Sequence, residues 1–444
     1  MKKIFLTLFL LSCFILSTQA KAVKNDFTSV IEEFGADTES IAVSIKNVDN
    51  GKLVYGLNDK TLMNPGSIQK IITTPVSYEA LGEDYKFKTS LYSRGDDTFL
   101  IKLGADPYLS SKDLKYLLKN INKDVKRVFV DDKILDDKIW GEGWQWDDDL
   151  NTLMPKFGSY NLDKNLIKLM IIPTEKDALA TIVNPSKYPL VFLNHIKTGK
   201  STKVKVDRDN NVSSNTLILS GTVARPTTIY VPVNNLQRYF NVQLTRILEE
   251  KDIYLKQNFT YQKVLNSDKL YDEVVHDINK AIDDIFKYSN NLVSETLFKL
   301  AGGKYFNLEN GSDAFGIKMF NDYCKKNKLD NSRIRITDAS GVSKNNLLSA
   351  DFITEFLRFN KDNKIYNKLP KPGEGTLTHR MLPIKENVRA KTGTLSDLSS
   401  IAGFLTSKKG KHYAFCIMIN DIQLSPSDKK MLEDFIIREA YLRL

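Results

Sequence analysis

The chain has 444 residues, of which 42% are hydrophobic and 27% charged, and its formal net charge is +10. This length allows two or three domains, and the composition is that of a globular protein, which excludes a fibrous or low-complexity chain. The positive charge is mostly lysine spread along the chain, with no stripe of basic and aromatic residues, so we predict no nucleic-acid partner. Peripheral association with an anionic membrane or cell wall stays open.

The first 22 residues have the pattern of a signal peptide. Lys2 and Lys3 precede an apolar run at 4–16, which is too short to span a bilayer. Small residues then predict cleavage before Val23. Cys13 lies inside the apolar run instead of after it, which favours soluble export over a lipoprotein. No later stretch is typical of a membrane span, and we therefore expect an exported, periplasmic protein.

The predicted elements begin with a β-hairpin. Residues 41–45 and 53–56 are typical of two strands, and the turn residues at 49–51 join them. The chain ends with two more strands, at 401–406 and 413–419, before a final helix. We predict that the two hairpins share one antiparallel sheet, which would place both ends of the chain in one domain.

Between the hairpins the pattern changes twice. A helix is predicted from just after Ser67 to about Leu81, where Gly82 ends it. Residues 88–270 contain short strand-like runs broken by turn residues, which predicts a β-rich region with a few helices. The pattern then becomes helical, with predicted helices at 270–288, 292–301 and 313–328.

These patterns predict one catalytic domain made of two segments, 23–88 and 270–444, with an inserted β-rich region at 89–269. Two cysteines remain after the leader, Cys324 and Cys416. An oxidising compartment permits a disulfide between them, and two buried free thiols are an equal alternative. Neither spacing is typical of a metal site, so we predict no metal or cofactor.

Ser67 and Lys70 are three residues apart, so on a helix their side chains lie on one face. A serine hydroxyl needs a base before it becomes a good nucleophile, and a lysine can be that base when burial or a nearby cation lowers its pKa. The pair therefore predicts acyl transfer. The spacing is common, since Ser427 and Lys430 repeat it, and an N-capping serine before a surface lysine is the alternative.

Acyl transfer by such a pair also needs a proton relay, a cation for a substrate carboxylate and backbone N–H groups for the oxyanion. Ser289 and Asn291 offer a hydroxyl and an amide in one turn between two predicted helices. The run Lys391-Thr392-Gly393-Thr394 offers an ammonium, hydroxyls and a glycine where a ligand could approach a strand closely.

Each of these motifs has a second match. Residues 213–215 and 343–345 also fit Ser-x-Asn, and 197–199 also fit Lys-Thr-Gly. The run 197–199 lies between two strand-like runs and is interpreted as a hairpin turn. Ser289 and Lys391 are preferred because both fall in the predicted catalytic domain.

In this order the motifs resemble those of the penicillin-binding proteins and serine β-lactamases. The long gap between Ser67 and Ser289 resembles the class C low-molecular-mass penicillin-binding proteins, the DacB (peptidase S13) family, which carries a large insertion there. Short motifs across almost all of the mature chain agree, at 64–67, 103–107, 143–148, 289–295, 375–380 and 390–395. Two departures are Gly66, where the family has alanine, and Ala339, where it has glycine.

The resemblance implies an α+β fold: a transpeptidase domain like that of penicillin-binding proteins and serine β-lactamases, with helices on both faces of an antiparallel sheet and a large β-rich insertion. It also implies that Ser67 attacks the carbonyl between two D-alanines, or between D-alanine and a cross-linking diamino acid, while Lys70 takes the proton of the Ser67 hydroxyl. Ser289 and Lys391 would relay a proton to the leaving amine, and Asn291 would hold the substrate amide or Lys70.

The same resemblance implies the substrate contacts. Lys391, Thr392 and Thr394 would receive the terminal carboxylate, and Gly393 would permit the close approach. The backbone N–H groups of Ser67 and Thr394 would form the oxyanion hole. Asp148 would contact the free amine of the peptide stem, as an acidic residue of the insert does in relatives. The alternative for Asp148 is one member of a solvated acidic run.

Two tryptophans and the four histidines are given no catalytic role. Trp144 and Trp146 are interpreted as packing residues. No His-Asp spacing is evident, so the histidines at 195, 276, 379 and 412 are interpreted as structural or surface residues.

The predicted function is a serine D-alanyl-D-alanine carboxypeptidase or DD-endopeptidase that acts on peptidoglycan stem peptides and is acylated by β-lactams. Two alternatives are kept. A β-lactamase would need a base for fast deacylation, and no suitable Glu-x-x-Leu-Asn-type motif follows Ser67. A non-catalytic wall-binding module could also keep this fold. The preferred peptide bond and the oligomeric state stay open at this point.

Overall fold

The computed structural model describes residues 27–95, 97–208, 215–255, 259–421 and 423–444. The predicted leader at 1–22 lies outside these residues, as do the first two residues of the Ser-x-Asn match at 213–215. Within the described residues, no helix is both long enough and apolar enough to cross a membrane.

The strands of the described residues are β1 (Ile41–Asn47), β2 (Leu53–Leu57), β3 (Lys86–Gly95), β4 (Thr98–Lys102), β5 (Arg127–Asp131), β6 (Leu166–Ile172), β7 (Thr181–Val183), β8 (Val191–Thr198), β9 (Lys203–Arg208), β10 (Thr216–Val223), β11 (Thr227–Pro232), β12 (Lys269–Asp277), β13 (Val388–Thr394), β14 (Ser399–Thr406) and β15 (His412–Ile419). The α-helices are α1 (Thr28–Glu33), α2 (Lys70–Leu81), α3 (Ser111–Leu117), α4 (Leu236–Glu249), α5 (Ile278–Tyr288), α6 (Asn291–Tyr305), α7 (Asp313–Lys326), α8 (Ala350–Phe359) and α9 (Pro426–Arg443).

The chain divides into two compact units. The first contains the residues up to Pro75 together with Phe286–Ser289 and Asn321–Leu444, and the second contains Val76–Ile285 and Asn290–Phe320. These limits differ from the sequence-based ones, since the second half of α2, β12, most of α5, α6 and part of α7 belong to the second unit. The division into a catalytic domain and an insertion stays a prediction about how the chain is assembled.

One antiparallel sheet organises the first unit, with the strand order β13-β14-β15-β1-β2. Strand β1 pairs with β15, so that Ile41 lies opposite Ile419. The predicted sharing of one sheet by the first and last hairpins is therefore confirmed. The turn between β1 and β2 contains Gly51 at φ +71°, a backbone conformation that favours glycine.

Helices cover both faces of this sheet, as expected. Successive side chains of a strand point to opposite faces, and the odd-numbered residues of 41–45 are buried in an apolar cluster with residues of α1 and α9. On the other face, Ser44 Oγ lies 2.8 Å from Thr354 Oγ1 of α8. The Lys46 ammonium lies 2.8 Å from the Asp351 carboxylate of the same helix.

The helix predicted after Ser67 is confirmed. A 3₁₀ turn at Gly66–Gln69 leads into α2, and Gly82 follows the helix at φ +82°. The helix predicted at 270–288 is wrong in its first half, because β12 pairs with β3 over residues 269–277 and α5 begins only at Ile278. Pairing with a neighbouring strand decided the structure there against the local pattern.

The second unit is rich in β-structure, as predicted. Its described strands form the sheets β12-β3-β4-β5, β11-β6-β7 and β8-β10-β9. The hairpin turn predicted at 197–199 is wrong. Lys197 and Thr198 end β8, whose neighbour is the parallel strand β10, and β9 pairs on the other side of β10. A strand that comes later in the chain thus separates the two expected hairpin partners.

Both remaining cysteines are free and buried, which decides between the two alternatives. Burial raises the pKa of the Cys324 thiol to about 12. Burial also raises the pKa of Cys416, a residue of β15 in the sheet of the first unit. Both groups are therefore un-ionised near neutral pH, the form in which a thiol is a poor nucleophile.

His276 of β12 pairs with an aspartate that no spacing in the sequence indicated. His276 Nδ1 lies 2.5 Å from the Asp106 carboxylate, which is 1% exposed in the turn after β4. The hydrogen bond to Asp106 raises the pKa of His276 more than burial lowers it. The pair escaped the sequence analysis because its members are 170 residues apart.

We expect His276→Gln to destabilise the protein by about 1 kcal/mol at pH 6, through loss of the charge-assisted hydrogen bond. Folding raises the pKa of His276, so the stabilisation is fully present below the ordinary value of 6.5 and is lost as the pH rises through the folded value. Urea unfolding of both proteins between pH 6 and 9 measures this. A difference that stays constant or grows with pH would contradict the assignment.

Candidate active site

Asn64 stabilises the turn at 64–67, which carries Ser67. The Asn64 side-chain oxygen accepts from the Gly66 N–H at 3.0 Å, and its amide donates to the Ser343 carbonyl at 3.0 Å. Gly66 has φ +56°, and a Cβ there would lie 2.8 Å from a methyl carbon of Leu398. Glycine in place of the family's alanine therefore fits the local backbone.

Ser67 and Lys70 face each other, as their spacing predicts. Lys70 Nζ lies 2.9 Å from Ser67 Oγ and donates to the Ser340 carbonyl at 2.8 Å. Ser67 is half-buried, whereas the Lys70 side chain is completely buried. The second match differs, because Ser427 is exposed in the first turn of α9, with its hydroxyl 2.8 Å from that of Ser425.

A second buried lysine belongs to the same unit. Lys391 Nζ donates to Ser289 Oγ at 2.9 Å and to the Thr392 carbonyl at 2.7 Å. Ser289 directly follows α5 and lies in the left-handed region at φ +58°, a strained conformation for a residue other than glycine. Complete burial lowers the pKa of Lys391 well below its usual value, and the positive charge of Lys70 lowers it further.

Gly393 lets strand β13 approach the Ser67 turn. A Cβ on Gly393 would lie 2.8 Å from the Ser67 amide nitrogen and 2.3 Å from Ser400 Oγ. Ser400 Oγ in turn donates to the Pro65 carbonyl at 2.6 Å. The space beside this glycine is thus filled by the backbone that carries Ser67. Thr394 follows Gly393 and is exposed.

Thr392 contacts a residue to which the sequence analysis gave no role. Thr392 Oγ1 donates to Thr376 Oγ1 at 2.8 Å. Thr392 is 8% exposed, and Thr376 is exposed within the 3₁₀ turn Gly375–Leu377. The only signal was the family-like motif around 375–380.

Asp338 holds the segment that contains Ser340, and the sequence had given it no role in the site. It is 1% exposed, and its carboxylate accepts from the N–H groups of Gly341 and Ser343 at 2.8 and 2.7 Å. The Asn346 amide donates to it at 2.8 Å and the buried Gln69 amide at 3.1 Å. The segment that supplies the carbonyl acceptor of Lys70 is therefore fixed from below.

Ala339, where the family has glycine, fits this segment. Its carbonyl accepts from Thr73 Oγ1 at 2.8 Å, and its side chain is fully buried. Ala339 is not one of the described residues with a positive φ, so its backbone conformation is open to alanine.

Asn291 and Asp148 belong to the second unit. Asn291 is the first residue of α6, and its amide donates to the Leu153 carbonyl at 2.9 Å. Asp148 is half-buried at the end of a 3₁₀ turn, and within the part of the chain that the structure describes its carboxylate has no hydrogen-bond or ion-pair partner. The neighbouring Asp149 is paired with Arg208 at 2.7 Å.

The two tryptophans beside Asp148 differ. Trp144 is buried and packs edge-on against Trp140, with ring centroids 5.0 Å apart, so its predicted packing role is confirmed. Trp146 is 80% exposed, and the packing role predicted for it is wrong.

An antiparallel sheet with helices on both faces, which carries Ser67-x-x-Lys70 and a buried Lys391, is the fold of the penicillin-binding proteins and serine β-lactamases. A crystal structure of penicillin-binding protein 4 (DacB) from Haemophilus influenzae has this fold. It superposes with a TM-score of 0.79 at 22% identity, over 90% of this chain and 96% of that one. A second crystal structure of that protein, complexed with a β-lactam, gives a TM-score of 0.76 at 20% identity, over 94% of this chain and 100% of that one.

The family model of the D-Ala-D-Ala carboxypeptidase 3 (S13) family matches residues 23–439, and the chain belongs to this family. It is 24% identical to the D-alanyl-D-alanine carboxypeptidase DacB of Haemophilus influenzae, over 95% of this chain and 93% of that protein. It is 23% identical to a D-alanyl-D-alanine carboxypeptidase of Actinomadura sp., over 90% of this chain and 81% of that protein.

Proposed function

We propose that this S13-family peptidase is a serine enzyme that cleaves D-alanyl peptide bonds of peptidoglycan through an acyl-enzyme on Ser67. The observation that carries the proposal is the 2.9 Å contact between Ser67 Oγ and the buried Lys70 amine. A serine beside a buried amine is the arrangement needed to activate the hydroxyl. Lys391 and Ser289 supply a second such pair in the same unit.

In the acylation step, Ser67 Oγ attacks the carbonyl carbon of the penultimate D-alanine. Lys70 accepts the hydroxyl proton in its neutral amine form, and one of its N–H groups donates to the Ser340 carbonyl. The backbone N–H groups of Ser67 and Thr394 stabilise the oxyanion. The close approach of β13 to the Ser67 turn at Gly393 supports this pairing.

In the second half of the step, the carbon–nitrogen bond breaks and the leaving amine takes up a proton. Ser289 delivers that proton and regains one from Lys391, whose amine lies 2.9 Å away. The lowered pKa of Lys391 fits a group that gives up its proton more readily than an ordinary lysine. Asn291 holds the substrate amide or Lys70, a role taken from the family resemblance. Water then attacks the ester carbon and gives a proton back to Lys391 through Ser289. Lys70 returns its proton to Ser67 Oγ as the ester bond breaks, which frees Ser67.

The substrate is a peptidoglycan stem peptide with a terminal carboxylate. Lys391, Thr392 and Thr394 receive this carboxylate. The leaving group is D-alanine in the carboxypeptidase reaction and a cross-linking diamino acid in the endopeptidase reaction. β-Lactams acylate Ser67 in the same way and inhibit the enzyme. The names of the curated relatives and the β-lactam complex of the Haemophilus protein support both ligand classes.

The enzyme acts outside the cytoplasm, on the cell wall. The basic and apolar sequence of residues 1–22 supports export, and cleavage before Val23 leaves the catalytic residues intact. Export gives the enzyme access to its polymeric substrate.

We expect a fluorescent penicillin to label the wild type and Ser427→Ala stably and to leave Ser67→Ala unlabelled. Both variants remove a hydroxyl from a Ser-x-x-Lys motif, but Lys70 is buried and contacts the Ser67 hydroxyl, whereas Lys430 is only half-buried. Mass spectrometry of the peptic fragments locates the adduct. No adduct on the folded wild type, even at early times, would favour the wall-binding module, and an adduct lost within seconds would favour a β-lactamase.

Asp148 is proposed to contact the free amine of the stem peptide, since its half-buried carboxylate is unpaired among the described residues. We expect Asp148→Asn to lower kcat/KM by about tenfold for a peptide that carries this amine, the size of one charged hydrogen bond. The N-acetylated peptide should be cleaved equally by both proteins. Asp147→Asn is the matched control, because Asp147 is an exposed member of the same acidic run. Equal losses on both peptides, or from both variants, would reject the role.

A further inference from the structure

Thr376 and Thr392 form a two-hydroxyl chain beside the Lys391 ammonium. The Thr392 hydroxyl donates to Thr376 Oγ1 at 2.8 Å, and the Thr392 carbonyl accepts from Lys391 Nζ at 2.7 Å. A hydroxyl carries one proton, which it can give to a single acceptor at a time. In the arrangement of the free protein, the Thr392 proton is therefore directed at Thr376.

Thr376 is held firmly by its neighbours. Gly375 has φ +48°, and a Cβ there would lie 2.2 Å from the Lys287 carbonyl, so this turn is packed against the end of α5. Leu377 on its other side is fully buried in the core of the first unit. Thr378 Oγ1 donates back to the Gly375 carbonyl at 2.5 Å.

These contacts tie Thr376 to the remaining groups of the site. The Lys287 carbonyl, on which Gly375 packs, lies two residues before Ser289. Ser289 accepts from Lys391, and Lys391 donates to the carbonyl of Thr392. The position of the Thr376 hydroxyl is therefore fixed relative to Thr392 by residues on both sides.

We propose that Thr376 is a positioning residue for the substrate carboxylate, acting through Thr392. This role rests on the proposed function, in which Thr392 donates to the terminal carboxylate of the peptide. For that bond to form, the Thr392 proton must turn away from Thr376. The chain then reverses: Thr376 donates to Thr392 Oγ1, which keeps that oxygen paired while its proton binds the carboxylate.

Because Thr376 is exposed, reversing this hydrogen bond costs little free energy. Water can reach its oxygen and pair with the lone pairs that the reversal leaves open. A donor at 376 pairs with the Thr392 oxygen while the Thr392 proton binds the carboxylate, and without that donor this oxygen has one partner fewer in the bound state. The hydroxyl of Thr376 thus favours substrates that carry a carboxylate on the leaving group.

The test compares two acyl-D-alanyl thioesters that differ only in the leaving group. One leaves as thioglycolate, which carries a carboxylate, and the other as ethanethiol, which does not. Released thiol gives kcat/KM for each. We expect Thr376→Val to lower the thioglycolate-to-ethanethiol ratio by about fivefold to tenfold, the effect of one unmade hydrogen bond. Thr376→Ser, which keeps the hydroxyl, should retain the wild-type ratio.

Thr378→Val is the matched control, since it removes a hydroxyl from the same turn without a contact to Thr392. It should leave the ratio unchanged even if it lowers both rates. A Thr376→Val variant that lowers both rates equally, or neither, would overturn the positioning role while leaving the proposed function intact. A wild type that turns over neither thioester, or that does not prefer the carboxylate, would overturn the proposed function and this role with it.

Discussion

The first unit depends on one electrostatic constraint, the burial of two lysines close enough for the charge of one to lower the pKa of the other. Lys70 and Lys391 are both fully buried. An ammonium without acceptors is very costly in such a place, so each needs oxygen atoms held in advance. Lys70 has Ser67 Oγ and the Ser340 carbonyl, and Lys391 has Ser289 Oγ and the Thr392 carbonyl.

Much of the surrounding structure supplies these acceptors. The Asp338 carboxylate fixes the segment that contains Ser340, and Gly393 brings β13 against the Ser67 turn. The strain at Ser289 fits the same account, since its left-handed backbone places the hydroxyl beside Lys391. Two serine hydroxyls are thereby each paired with a buried amine, which is the requirement for acyl transfer at a serine.

Elements set by nearby residues could be predicted from the sequence. The spacing of Ser67 and Lys70 gave their contact, Gly51 marked the turn between β1 and β2, and Gly82 marked the end of α2. The joining of the two hairpins in one sheet was a longer-range inference, drawn from the strand patterns near both ends of the chain.

Most of the wrong or missed predictions concern residues whose structural partners lie far away in the sequence. The strand at 269–277 depends on β3, and the topology around Thr198 depends on β10. Local patterns carry no information about such pairings. His276 and Asp106 are far apart in the sequence, and the contact of Thr392 with Thr376 joins a predicted site residue to one that had been given no individual role. The packing role predicted for Trp146 was wrong for another reason. Large apolar side chains are often exposed, so the residue type alone does not predict burial.

The central claim is that Lys70 and Lys391 are electrostatically coupled, and NMR titration of the lysine side chains tests it most directly. The Lys391 signal is assigned by its loss in Lys391→Met. The account predicts that Lys391 titrates well below its usual value of 10.5 and that the pKa of Lys391 rises in Lys70→Met, because that substitution removes the neighbouring positive charge. A Lys391 signal that titrates near 10.5 and does not respond to Lys70→Met would contradict the account.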